Sequence, residues 1–470
     1  MKEGISRGVW LTEAGGEREA RLRFLAERGL RLLMADVDPV GRESLHFFDP
    51  REGKTLHLLS REGGGLVEKA SSFFPSAARW LELLYGAVGC EGSIRRASRE
   101  GVPGVGKSRG EREEPARSCL PYAGGELLVE TAGGRVLRVI ECLRMAPSLR
   151  LRGGKAGSET ERAREALGGD LPLLLSFLLA LEEGRGCAVP PSARAVRAVL
   201  LELLRMRYHC SWLFAAAALS GRFRLSRRLK RWGEGIAELE RTVTGGRGIA
   251  EALVPGGVRN GVAERVVREL WKDMEDMGRQ WAGLYRRLAA LSPPRWAERR
   301  LARLPREGRS GERGTGTAAC GGPWKGWEAW VGPLARALGS GWDARAEDPA
   351  FSMPPGWSPR VTAGKKGTLR RMVEVRAGEV GDSLAIIEAL LQHPLEGPWE
   401  APRGRHGSGR GFGRCEGPEG ETCCHLVLER GRVVHAAFSS PRELNRNAAS
   451  CLEGAWLDEA AELLPLLHPD

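Results

Sequence analysis

The sequence predicts an α+β protein in which a small mixed α/β N-terminal domain precedes a mainly helical domain with peripheral β-hairpins. Three observations carry this. Short apolar-rich runs at Leu30 to Asp36, Ser44 to Phe48 and Lys54 to Leu59 have the length of strands, with a helical pattern ahead of them at Glu17 to Glu27. From Pro190 to Gly221 the apolar residues recur at helical spacing over roughly eight turns. Two stretches, Glu126 to Glu141 and Cys424 to Phe438, alternate apolar and polar residues around short turns at Ala132-Gly133-Gly134 and Glu429 to Arg432.

With 470 residues and 42% hydrophobic content, the chain can bury a sizeable core and is expected to carry two or three domains. A formal net charge of +12 and a pI near 9.5 invite a nucleic-acid or anionic-membrane reading. Arginine is spread over nearly every segment, however, so most of this charge is expected on solvated faces, and no nucleic-acid partner is expected. The N-terminal stretch lacks a signal peptide's apolar core. The longest apolar runs, Leu171 to Leu181 and Ser211 to Leu219, fall short of a membrane span, so a soluble or peripheral chain without a transmembrane segment is expected. Ten cysteines include no C-x-x-C pair, which argues for scattered reduced thiols rather than a disulfide framework or a paired-thiolate metal site.

Residues 1 to 95 form the first expected domain, closing with SSFFPSAARWLELLYGAVGCEGS from Ser71 to Ser93. Residues 96 to 119 are a charged linker. Within it, Gly101 to Ser108 fits the phosphate-cradling pattern G-x-x-x-x-G-K-S, with Lys107 and Ser108 in the lysine and magnesium positions. The flanks are RRASRE and RGEREEPARS rather than a buried strand and a helix, so a flexible linker is the default and a nucleotide site the alternative. Residues 120 to 470 make up the main domain. After its first hairpin, Ser192 is placed to cap a long core helix carrying Val196, Val199, Leu200, Leu203 and Met206, with Arg194, Arg197 and Arg205 toward another face. A basic helix follows, then Thr242 to Val258, where a Thr-Gly pair and a Val-Pro-Gly-Gly-Val turn bracket a short segment. Leu270, Met274, Met277, Trp281, Leu284 and Leu288 then mark one amphipathic helix, expected to end at Pro293-Pro294 with its stripe in the core. Glu307 to Lys325 reads as an exposed Gly- and Arg-rich loop.

The order of a long helix, Thr-Gly-x-Arg and Val-Pro-Gly-Gly-Val resembles a known superfamily. It comprises the large subunit of energy-converting, formate-hydrogenlyase-type (group 4) nickel-iron hydrogenases and the D-type subunit of NADH:quinone oxidoreductase, respiratory complex I. Further motifs agree: Gly332, Arg336, Ala337, Gly339, Asp343, Arg345 and Pro349 in VGPLARALGSGWDARAEDP; Ser383, Ile386, Ile387, Glu388 and Leu391 in the helix of Val375 to Leu395; Glu400-Ala401-Pro402-Arg403-Gly404; and Pro441 with Asn445. The stretch from Ser71 to Ser93 is similar to the end of a C-type complex I subunit, through Phe74, Pro75, Ala77, Ala78, Trp80, Glu82, Gly89, Glu91 and Gly92. Formate-hydrogenlyase-type enzymes fuse that domain ahead of the large subunit, the order found here.

The chain also departs from the family. Gly246 replaces a histidine, and Ala250-Glu251 stand where Arg-Gly is usual. Ala146 and Ser148 fall where the family has Tyr and His, Gly168 to Leu171 where hydrogenases have their first cysteine pair, and His468-Pro469-Asp470 where they have the last. The resemblance therefore implies a subunit without a nickel-iron centre or bound cofactor of its own. It would sit at the inner face of the membrane beside an iron-sulfur small subunit and membrane subunits. Arg403, Arg336, Glu400 and Asp343 are its candidates for facing a substrate or a partner's cluster. Three readings stand: an oxidoreductase subunit keeping a cavity for quinone or another redox substrate, a catalytically degenerate structural or coupling subunit, and a P-loop nucleotide-binding protein.

Overall fold

The computed structural model describes residues 10–12, 30–37, 43–49, 54–61, 65–70, 116–122, 125–142, 156–167, 169–259, 261–304, 330–340, 342–347, 367–392, 397–401 and 407–467. The architecture is α+β, with a mainly helical body and small antiparallel sheets. The chain divides into two units, Met1–Ala116 and Arg117–Asp470.

The first unit is built on an antiparallel sheet of β1 (Trp10–Thr12), β2 (Arg31–Val37), β3 (Glu43–Asp49), β4 (Lys54–Arg61) and β5 (Gly65–Ala70), in the order β1-β5-β4-β3-β2. The three strands expected from sequence are its β2, β3 and β4, while β1 and β5 extend it. Ser44 to Asp49 are at most 2% exposed, so β3 is covered on both faces, and Leu45, Phe47 and Phe48 anchor the core. The expected helix at Glu17 to Glu27, the stretch from Ser71 to Ser93, the P-loop-like segment and the loop at Glu307 to Lys325 all lie outside the described residues.

The second unit opens with a sheet of β6 (Ala116–Tyr122), β7 (Gly125–Ala132) and β8 (Arg135–Cys142), whose β7–β8 hairpin turns at Gly133-Gly134 as its alternation predicts. Helices α1 (Ala156–Ala166), α2 (Leu171–Arg185), α3 (Pro191–Leu219), α4 (Phe223–Thr244), α5 (Glu264–Ala289) and α6 (Arg295–Leu301) follow. Next come α7 (Gly332–Leu338) and α8 (Leu369–Leu391), then β11 (Gly409–Gly417), β12 (Gly420–Glu429) and β13 (Arg432–Ser439), and last α9 (Leu457–Leu467). Between α4 and α5, β9 (Leu253–Val254) and β10 (Gly257–Val258) form a two-stranded ladder around the Val-Pro-Gly-Gly-Val turn.

The 29-residue α3 is the axis of this unit, packed against α4, α8 and α9. Its five predicted core residues are buried, as are all six of the Met and Trp stripe on α5. Each such side chain removed from water contributes about 1.5–3 kcal/mol, so this interior is the main stabilising term. Two local expectations need correction. Ser192 does not cap α3: the helix starts at Pro191, and the Ser192 hydroxyl donates to Pro398 O at 2.7 Å. Helix α5 ends at Ala289, and Pro294 stands instead at the entrance to α6. The C-terminal segment pins the first hairpin, with Val136 N donating to Ala455 O at 2.9 Å and Arg135 over the Trp456 ring at 4.2 Å. No helix among the described residues is long and apolar enough to cross a membrane.

The Gly-rich stretch before Cys424 is strand β11. It pairs with β12 from Gly409↔Leu428 to Gly417↔Gly420, and α2 lies directly across it. The reason is steric: a Cβ on Gly411 would overlap the Ala180 carbonyl, and one on Gly413 the Ser176 carbonyl. Glycine at alternate positions lets helix backbone rest on strand backbone.

Candidate functional site

Helix α3 carries four polar residues on its buried side: Arg197, Glu202, Arg205 and His209, none more than 4% exposed. This corrects the expectation that Arg197 and Arg205 face away from the core. Each charge is buried with a partner, as desolvation demands.

The first cluster holds the glycine turn. Glu182 of α2 receives two bonds from Arg197, at 2.6 and 3.0 Å, and one from Gly256 N at 2.7 Å. Arg197 also donates to the Val254 and Gly257 carbonyls at 2.8 and 2.9 Å. The outer side of the turn pairs with a second segment through Val258 N to Trp399 O and Ala401 N to Gly256 O, both 2.9 Å, and a bridge from Gly257 to Glu400. Glu400 thus lies beside this turn with its side chain exposed. Arg403 lies outside the described residues.

The second cluster joins α3 to α7, α8 and the β11–β12 sheet. Arg336 of α7 donates to Glu379 at 2.6 Å, Glu416 at 2.5 Å and Trp342 O at 3.1 Å, with Asp343 at 3.2 Å. Arg345 makes a two-pronged contact with Asp343, at 3.0 and 2.7 Å, and reaches Glu202 at 2.9 Å. Glu202 also accepts from Ser383 at 2.6 Å and from Arg205 at 3.2 Å. Arg205 spends its remaining donors on the Glu416 and Gly417 carbonyls, fixing the end of β11 to α3. Arg376 forks onto Glu419 at 2.7 and 2.8 Å and stacks on Trp212.

Arg376 also reaches His209 Nδ1 at 3.1 Å, and His209 Nε2 lies 2.7 Å from Glu379. A guanidinium only donates, so Nδ1 is the acceptor and Nε2 carries the proton given to Glu379. Burial, with Arg376 and Arg205 nearby, lowers the His209 pKa to about 4, in keeping with a neutral ring. Burial also opposes ionisation of Glu202, Asp343 and Glu379, but their arginine partners overcome it and hold all three below the usual carboxylate range.

Glu416 differs. Four guanidiniums (Arg205, Arg336, Arg345, Arg376) face five carboxylates (Glu202, Asp343, Glu379, Glu416, Glu419), so one acid is left undercompensated. Burial pushes Glu416 up to about 7 against the pull of Arg336, with Asp343 and Glu421 adding to the rise. A raised folded-state pKa contributes stability that is complete below the unfolded value of about 4.3 and is lost as pH rises through the folded value. His209, lowered, works in the opposite sense, losing stability as pH falls from about 6.5 toward its folded value. Glu416→Gln should therefore gain on the wild type as pH rises between about 5 and 7, read by urea unfolding at each pH. A wild-type–variant difference that does not change with pH would contradict this.

Of the four sequence candidates, Arg336 and Asp343 come together in this network, Glu400 lies apart from it beside the glycine turn, and Arg403 is not described. Sequence reasoning missed Glu202, Arg205, His209, Arg376, Glu379 and Glu416. One signal was available: Glu202 and Arg205 sit three apart within an otherwise apolar run, VLLELLRM. Among the described residues no group of three or more His, Cys, Asp or Glu side chains forms a possible metal site. The thiols of Cys210, Cys415 and Cys451 are buried and pushed up, Cys451 to about 12, away from the thiolate that a metal requires.

No protein-family model and no curated protein matches the chain. Among solved structures it is similar to a chain in the membrane-bound sulfane sulfur reductase, an archaeal respiratory membrane complex. The match has a TM-score of 0.59 and 20% identity, covering 73% of this chain and 92% of that one. At that identity the likeness is one of fold: the protein shares the fold of a chain from a respiratory membrane complex.

Proposed function

We propose that the protein is a catalytically degenerate scaffold and coupling subunit of a membrane-associated, complex-I-like or hydrogenase-like oxidoreductase assembly. In this reading residues 1–95 correspond to the C-type domain and 120–470 to the D-type or large-subunit domain. An iron-sulfur small subunit and membrane subunits are the partners, and the location is peripheral, at the inner face of the membrane. The shared fold and the motifs around Arg336 and Asp343 support the assembly.

The observation that carries the scaffold reading is the saturation of Arg336. Its donors are committed to three carboxylates and a backbone carbonyl, and Asp343 is committed to two arginines. Neither side chain is left to bind a quinone or face a cluster. A nickel-iron centre does not fit the donor set either, since it needs paired thiolates and the chain has no C-x-x-C. Electron transfer then belongs to the partners, and this subunit fixes their geometry.

The test is to isolate the assembly from native membranes through a tag on this chain and analyse its metals. The expected result is a stoichiometric iron-sulfur partner and far less than one nickel per chain. About one nickel per chain, or recovery of the chain without membrane partners, would overturn the reading.

A further inference from the structure

We infer that the basic end of the α4–α5 helix pair is an interfacial surface that docks on anionic lipid headgroups. The two helices run antiparallel: Trp232 packs on Trp281 with ring centroids 4.9 Å apart, and Gly235 lies beside Met277. The start of α4 is therefore level with the end of α5. At that end Arg222, Arg224, Arg227, Arg228, Lys230 and Arg231 are exposed on one side, and Arg286 and Arg287 on the other. From Arg222 to Gly233 and from Gln280 to Ala290 there is no acidic residue. No ion pair reaches any of these eight cations among the described residues.

The opposite end is arranged differently. There Arg265 and Arg268 pair with Glu269 and Glu264, and Arg241 pairs with Glu238. The charge of the helix pair is thus polarised rather than spread. Arg286 and Arg287 suit the last turn of α5, but helix stability does not account for the cations that open α4, because cations at a helix N-terminus oppose the macrodipole and Arg222 makes no capping bond with its side chain.

Two exposed aromatics complete the surface: Phe223 at 62% and Tyr285 at 44%. A folded partner would need carboxylates at fixed positions opposite each flexible arginine. A lipid surface supplies mobile anions that adapt to them, and an interfacial layer that accepts aromatic rings among cations. The inference concerns this chain's own surface and goes beyond the assembly reading, which it does not require.

The test uses the purified full chain in flotation with phosphatidylcholine vesicles, with and without phosphatidylglycerol. Binding should appear only with phosphatidylglycerol and weaken with salt. Arg227→Glu/Arg228→Glu should lower it by at least ~10-fold, given the contribution of each basic residue near an anionic surface. Arg265→Glu/Arg268→Glu, with the same change in net charge at the paired end, should stay within about 3-fold of wild type. Equal losses in both variants, or no vesicle binding, would overturn the inference. So would charge-reversal-sensitive binding to a short DNA duplex with none to vesicles. Because no partner subunit is present, failure here leaves the assembly reading to its own test.

Discussion

Arg336→Met is expected to lower the unfolding free energy by about 3–5 kcal/mol, the range for removing one partner from a buried ion network. Methionine fills much of the same volume but supplies no donor. Glu379, Glu416 and Asp343 would then share the remaining cations while still buried at 5% exposure or less. The variant should also become more sensitive to alkaline pH, because the acids that lose Arg336 are less able to hold their charge. Urea unfolding of the isolated chain checks this, and a loss below about 1 kcal/mol would mean that the network is far better solvated than its burial implies.

Gly411→Ala and Gly413→Ala are expected to be at least as damaging, each exceeding about 4 kcal/mol, because the clash is with backbone rather than with a side chain that can swing away. The added carbon on Gly411 meets the Ala180 carbonyl and that on Gly413 the Ser176 carbonyl, so β11 and α2 must separate. Separation would open this seam to water, including the place where Leu428 packs against Gly184. Gly278→Ala on α5 provides the control, since nothing lies within 4 Å of the added carbon, and helix propensity predicts a small gain. Near-native thermal unfolding of both strand variants would show that the helix does not rest on the strand as described.

What was legible in the sequence follows from what periodicity records, namely which face of an element is buried in apolar surroundings. The stripe on α5, the five core positions of α3 and the hairpins β7–β8 and β12–β13 are of that kind. Strand β11 was hidden because glycine reads as loop. Its alternation is small against large (Gly409, Arg410, Gly411, Phe412, Gly413, Arg414) rather than apolar against polar, since its inner face packs on helix backbone. The ion network was hidden for the opposite reason. Arg205 and Glu202 look like surface residues by type, and only partners contributed from far along the chain, Arg345 for Glu202 and the Glu416 and Gly417 carbonyls for Arg205, offset the cost of their burial. Arg336 and Asp343 were found through motif resemblance, which marks a position without saying whether its side chain serves a substrate or a neighbour.

That distinction is settled most directly by the assembled complex carrying Arg336→Lys. Lysine keeps one charge but cannot reach three carboxylates with a planar fork, so the subunit should be weakened without being emptied of charge. As a scaffold residue, Arg336 predicts less complex in the membrane and an unchanged turnover per complex recovered. Normal amounts of complex with electron transfer reduced tenfold or more would contradict the scaffold account and return Arg336 to a redox site.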